Sequence, residues 1–256
     1  MGVLLFDKNA DFSANSLGHA GLYTSVTNNL LGLFELRRSA AKARKNSAPA
    51  NDLEALIGGT PVFNAMSMDL TAQGQITFPT GPVNGGENTV AMIVKVKNGG
   101  IINDQPVGSS VGSPIINGSC YLVNYGRRFQ FDATLFDAQE LPATYVANAS
   151  AGLNAPVDGS LDGTFQLIVG TLKSQDALKL YWPATNQVAT TAIVSGQFAY
   201  FNQEVSNRNW RGLGGSGTAV QGVSMFAHWD RALTADEVAT FYGEMKKQFG
   251  LVGLLI

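Results

Sequence analysis

The sequence contains a single cysteine, Cys120, in 256 residues. An internal disulfide is therefore excluded, and the fold must hold without that cross-link. No second Cys or nearby His equips Cys120 as a nucleophile or metal ligand, so within SCYLVNY it reads as a small buried residue. Charge is also scarce. Asp, Glu, Lys and Arg make up 14% of the chain, against roughly 25% in an average domain. The net charge of −2 gives no general attraction to nucleic acid or to a membrane surface. No stretch approaches the ~20 apolar residues that a membrane-spanning helix needs. The opening MGVLLFDKNADF has too short an apolar run for a secretory signal, and Phe6 breaks the myristoylation pattern. The expectation is a protein made in a reducing cytoplasm without cleavage.

Chemistry-bearing constellations are missing as well. The two histidines, His19 and His228, are far apart and form no metal motif. GSSVG (Gly108–Gly112) matches the nucleophile-elbow pattern in letters only. That motif needs a helix to follow, and here Ser113-Pro114 and a β-like run follow instead. Sandwich glycosidases set paired carboxylates two residues apart on one strand face. None of the seven glutamates (Glu35, Glu54, Glu87, Glu140, Glu204, Glu237, Glu244) has an Asp two residues later. No catalytic residue is expected.

Short strand-like runs are abundant. GQITFP, NTVAMIVKVKN, GSCYLVNYG, RRFQFDATLF, ATYVANAS, GTFQLIVGTL, ALKLYWP, QVATTAIV, QFAYFNQ and VQGVSMFAHWD are separated mostly by Gly, Asn, Asp or Pro. Phe129, Phe131 and Ala133 alternate with Gln130, Asp132 and Thr134, as on a half-buried strand. TVAMIVKV is almost continuously apolar and belongs at the centre of a sheet. Many strands without alternating helices predict an all-β protein of two antiparallel sheets packed face to face.

One helix is well marked. Thr234 and Glu237 form a capping box, and Leu233 can staple onto Val238. Val238, Phe241, Tyr242, Met245 and Phe249 make one apolar stripe. Gly250 suits the left-handed position after the last turn. This helix must lie against something larger.

At the other end, residues 1–30 read as a polar, extended attachment or oligomerisation arm, and residues 31–256 as the sandwich domain. After LLGLFELRR, the cations Arg37, Arg38, Lys42, Arg44 and Lys45 fall within nine residues. No aromatic interleaves them, so a solvated or inter-subunit loop is expected rather than a nucleic-acid or phosphate site.

The order of the last hundred residues resembles the laminin-G-like, concanavalin-A-like domains. DGTFQLIVGTLKSQDALKLYW looks like their central strand pair, and RGLGG (Arg211–Gly215) like their glycine turn. VQGVSMFAHWDRALTADEVATFY looks like their closing strand and helix, through Gly222, Val223, Phe226, Trp229, Arg231, Ala232, Leu233, Thr234, Glu237, Val238 and Tyr242. GLFELRRSAAKARKNSAPANDLEALIGGTPVF and NTVAMIVKVKN are similar to the opening and early central strands. The resemblance covers about residues 31–250 and implies a jelly-roll sandwich with the helix packed near its rim.

Some domains of this family bind calcium through loop carboxylates. Asp104, Asp158 and Asp162 lie in loop-like stretches, but no acidic cluster supports a site, and no cofactor is expected. Sugar binding needs aromatic faces beside amide partners. The candidates are Tyr200, Asn202, Asn207, Asn209 and Trp210 in AYFNQEVSNRNW, with Trp182 and Asn186 in YWPATNQ.

The expected role is a structural component of a bacterial-virus particle, in a tail, baseplate fibre or decoration, with a lectin-like domain for host surface polysaccharide. Homo-oligomerisation and contacts with other virion proteins would run through residues 1–30. A free bacterial carbohydrate-binding domain is the alternative, and a glycan hydrolase with an unrecognised site the third reading.

Overall fold

The computed structural model describes residues 21–49, 53–70, 75–78, 87–96, 100–106, 120–125, 128–137, 145–173, 175–197, 208–213 and 221–256. In chain order the elements are β1 (Leu30–Glu35), α1 (Ala40–Arg44), β2 (Leu56–Gly58), β3 (Val62–Phe63), β4 (Met68–Leu70), β5 (Gln75–Phe78), β6 (Glu87–Lys95), β7 (Gly100–Pro106), β8 (Cys120–Tyr125), β9 (Arg128–Phe136), β10 (Tyr145–Asn154), β11 (Phe165–Lys173), β12 (Ala177–Trp182), β13 (Gln187–Ala192), β14 (Arg208–Leu213), β15 (Gln221–Trp229) and α2 (Ala235–Gly250). The protein is an antiparallel β-sandwich closed by one long C-terminal helix.

The first sheet runs β13-β12-β11-β6-β15-β4-β3, with β1 also paired to β15. The second runs β10-β9-β8-β7-β14-β5-β2. Every pairing among the described residues is antiparallel. β15 exchanges partners along one side: β4 pairs with Gln221–Val223 and β1 with Met225–Trp229, across a bulge.

The central strands of the first sheet are buried on both faces, which explains their unbroken apolar runs. On β6, Val90, Met92 and Val94 face the second sheet, while Ala91 and Ile93 face away from it. Between the sheets, Phe226 of β15 stacks on Phe78 of β5 with centroids 4.1 Å apart, and Phe34 of β1 lies 4.9 Å from Phe78. Phe129, Phe131 and Ala133 enter this core, as their alternation predicts. Phe131 lies directly over Gly170 of β11: a Cβ at Gly170 would lie 2.5 Å from the ring's Cγ. Glycine is required there by close approach.

A second core fills the outward face of that sheet. Ile93, Leu167, Val169, Met225, Ala227 and Trp229 meet Leu233, Val238, Phe241, Met245 and Phe249 of the helix segment. Trp229 packs edge-on to Phe241 at 4.9 Å. Leu22, Val26 and Leu30 are buried in the same core. So the described part of the stretch read as an arm, residues 21–30, packs with the domain. Its backbone is tied down: the Trp229 indole donates to Val26 O at 2.8 Å, and Thr24 Oγ1 donates to Glu244 at 2.6 Å.

Several local expectations change. The capping box forms as predicted, but Gly250 is the last residue of the helix rather than the left-handed residue after it. The left-handed residue is Gly253 (φ 79), with Gly253 N–H donating to Gly250 O and Leu254 N–H to Phe249 O. This is the Schellman arrangement, and Leu254 packs into the same core as Phe249. Burial of Leu254 and Ile256 draws the chain past the first glycine. RGLGG is not simply a turn: Arg211–Leu213 continue β14, hydrogen-bonded between β7 and β5. Asp104 lies on strand β7 rather than in a loop. The basic run is not a solvated loop throughout. Ser39 caps the short helix α1, Arg37 and Lys42 both reach the buried Glu35 carboxylate (2.6 and 3.0 Å), and the Arg37 guanidinium lies over the Phe249 ring.

Candidate functional site

The strand ALKLYW sends alternate residues to opposite faces. Leu178, Leu180 and Trp182 enter the core between the sheets, while Tyr181 faces outward into the helix core. Trp182 is 1% exposed, its indole N–H donates to Gln166 Oε1 at 2.9 Å, and its ring meets Phe129 edge-on. It therefore presents no face to a sugar. This corrects its place among the binding candidates: the same alternation that makes the strand fills the core with it.

After Trp182 the chain turns through a 3-10 segment, Pro183–Thr185, closed by Asn186 in the left-handed conformation (φ 55). Asn tolerates that conformation better than most side chains. The turn starts β13 and brings Asn186, Gln187 and Val188 opposite the first turns of α2. A groove of about 250 Å³ lies between them, lined on the strand side by Tyr181, Pro183, Asn186, Gln187 and Val188 and on the helix side by Ala235, Val238, Ala239 and Tyr242. Ala235 and Ala239 are one helical turn apart and keep that wall low. Tyr181 and Ala235 also line a second hollow of about 340 Å³, with Thr171, Lys173, Asp176, Lys179 and Thr234. The two hollows adjoin at Tyr181 and Ala235, a track of two neighbouring hollows on the outward face of the first sheet.

The helix wall is held by a polar joint. Thr89 of β6 donates its hydroxyl hydrogen to Arg231 O and accepts from Leu233 N–H, both at 2.8 Å. Arg231 donates to both Glu237 oxygens, at 2.8 and 2.6 Å, and to Asn28 O. The paired bonds from Arg231, aided by Thr234 and opposed by partial burial, hold the Glu237 carboxyl down at about 2. Glu237 is thus committed to structure. Lys173 and Asp176 form an exposed ion pair at 3.5 Å.

Of the sequence-derived candidates, Asn186 lines the groove. Asn209 and Trp210 lie on β14, in the other sheet, so they are not on the face that carries Asn186; their side chains lie outside the described residues. Tyr200, Asn202 and Asn207 lie outside the described residues altogether, as do GSSVG, His19 and most of QFAYFNQ. His228 is fully buried on β15. Among the described residues no group of three metal-ligating side chains occurs, and Asp158 accepts from Ser160 N–H. Sequence reading passed over Tyr181, Gln187, Lys179 and Tyr242. Strand alternation groups the first and third, but only helix docking opposes them to Ala235 and Ala239.

No protein-family model matches the sequence, and no curated protein matches it. Solved structures do match in shape. The botulinum neurotoxin serotype G binding domain has a TM-score of 0.60 at 12% identity, covering 85% of this chain and 51% of that one. The serotype D binding domain gives 0.58 at 10%, covering 86% and 53%, and the serotype C1 binding domain 0.56 at 9%, with the same coverage. The likeness agrees with the antiparallel β-sandwich described above. At these identities the likeness is one of fold, and this chain spans about half the length of the chains it matches.

Proposed function

We propose that this protein is a lectin-like binding module that holds a glycan in the groove between β12–β13 and α2. The observation that carries the reading is the meeting of the exposed amide side chains Asn186 and Gln187 with the half-buried Tyr242 across a groove that two alanines and the largely buried Tyr181 also line. Amides supply both donors and acceptors for sugar hydroxyls, and tyrosine rings offer apolar faces with a polar tip. The proposed act is binding rather than bond cleavage: among the described residues the groove is lined by no nucleophile–base pair.

The setting proposed is a bacterial-virus particle, in which the segment preceding Gly21 contacts neighbouring subunits, including further copies of this chain. Low charge and the Asn/Ser-rich beginning of the sequence motivate it. The second reading is a carbohydrate-binding domain of a bacterial protein, favoured by the shape match to toxin binding domains. Deleting residues 1–20 separates the two: particle assembly fails under the first, while glycan binding survives under both.

The groove itself is tested on a glycan array with Ala239→Trp, which fills it, and Asn186→Ala, which removes one amide. Both variants are expected to melt near the parent and to lose the signal. Undiminished binding by both would overturn the assignment of the groove.

A further inference from the structure

The second hollow contains a cation that, among the described residues, makes no ion pair. Three ionised side chains line that part of the track: Lys173, Asp176 and Lys179. Lys173 and Asp176 face each other at 3.5 Å. Lys179 is half-buried on β12, in register with Thr171 of β11 and Thr190 of β13, and among the described residues its ammonium has no ion-pair or hydrogen-bond partner. Glu237 of the helix cap is taken by Arg231. The track is therefore asymmetric. Its Asn186 end is neutral and amide-bearing, its Lys179 end carries an uncompensated positive charge, and Tyr181 belongs to both.

Resting on the glycan reading above, we propose that the ligand is an acidic saccharide, bound with its anionic group at Lys179 and its neutral hydroxyls toward Asn186 and Gln187. An ammonium is a compact point charge that imposes no bidentate geometry, so it accepts a carboxylate or a sulfate ester equally well by shape. Partial burial strengthens the attraction relative to an open surface, because screening by water and salt is weaker there. The second hollow, about 340 Å³, is at the lower end of the roughly 300–1,000 Å³ usual for a small-ligand site, and the first, about 250 Å³, falls just short of it. A ligand of two rings that spanned both would set its acid in the second hollow and its hydroxyls beside the amides of the first.

The experiment uses the full chain and matched saccharide pairs: galacturonate oligosaccharides against their methyl esters, 3′-sialyllactose against lactose, and a sulfated galactan oligosaccharide against its desulfated form. Binding is measured by calorimetry for the parent, Lys179→Gln and Lys173→Gln. The parent is expected to prefer the acidic member of at least one pair by about tenfold or more, with the preference falling as salt rises. Lys179→Gln abolishes that preference; Lys173→Gln has a smaller effect. Loss confined to the sulfated pair supports the site with sulfate as its anion. Equal binding of acidic and neutral members, unaffected by Lys179→Gln, overturns the proposal while leaving the glycan reading intact. Failure of every saccharide to bind overturns both.

Discussion

Arg231 and Glu237 face each other across the turn from β15 into α2, guanidinium to carboxylate through two parallel hydrogen bonds of 2.8 and 2.6 Å. The same carboxylate accepts from Thr234 N–H, so one side chain closes both the ion pair and the helix cap. That joint sets the angle at which the helix leaves the sheet, and with it the width of the groove beside Ala235.

Glu237→Gln should therefore destabilise the fold by about 1–2 kcal/mol through the weakened cap and lost charge pairing. Acid tells the same story. The folded carboxyl titrates at about 2 instead of the ordinary 4.5. Its contribution is complete above the ordinary value and disappears as pH falls from there toward about 2, because the unfolded chain takes up the proton first. Urea midpoints recorded from neutral to strongly acidic pH should converge for parent and variant at the acid end. Parallel curves would show that Glu237 is not the group responsible.

Thr89 bridges the same turn from underneath. Replacing it with Val keeps the shape but leaves Arg231 O and Leu233 N–H without their partner, at a cost of about 1–3 kcal/mol. Thr89→Ser keeps the hydroxyl and should recover most of that loss. Thermal melts of the two variants that coincide would remove the bridge from the account.

Gly170 and Phe131 meet between the sheets at a separation that leaves no room for a Cβ. Gly170→Ala should cost about 1–3 kcal/mol by overpacking. In the background of Phe131→Leu, which shrinks the opposing ring, the same change should cost distinctly less. Additive losses in that double-mutant cycle would mean that the two positions do not press on each other.

Glu244 and Gln248 hold residues 23–25 on the helix. Thr24 Oγ1 and Ser25 N–H donate to Glu244, and Gln248 exchanges two hydrogen bonds with the Tyr23 backbone. Although burial alone would raise the Glu244 carboxyl, the bonds from Thr24 and Ser25 outweigh it and carry it below the ordinary range. Glu244→Ala should speed amide hydrogen exchange at Ser25 and its neighbours while leaving β6 and β11 protected. Exchange that rises equally in the central strands would indicate global rather than local release.

Much of this protein is decided locally. Alternation at Phe129, Phe131 and Ala133 sets which face of β9 enters the core, and the Thr234–Glu237 box starts α2 where the letters place it, because both depend on neighbours within one strand or one helical turn. Other features depend on partners remote in sequence. β14 has little alternation of its own and is made a strand by β5 and β7; Gly253 rather than Gly250 turns left-handed because Leu254 and Ile256 find the second core. Trp182 and Asn186 stand four residues apart with equal chemical promise, yet one is sealed against Phe129 and the other opens onto the groove. Composition and spacing determine that there will be a sandwich with a capped helix on it. Which side chains remain free to meet a ligand is settled only when that helix docks, since burial is a property of the surfaces that face each other and not of any residue alone.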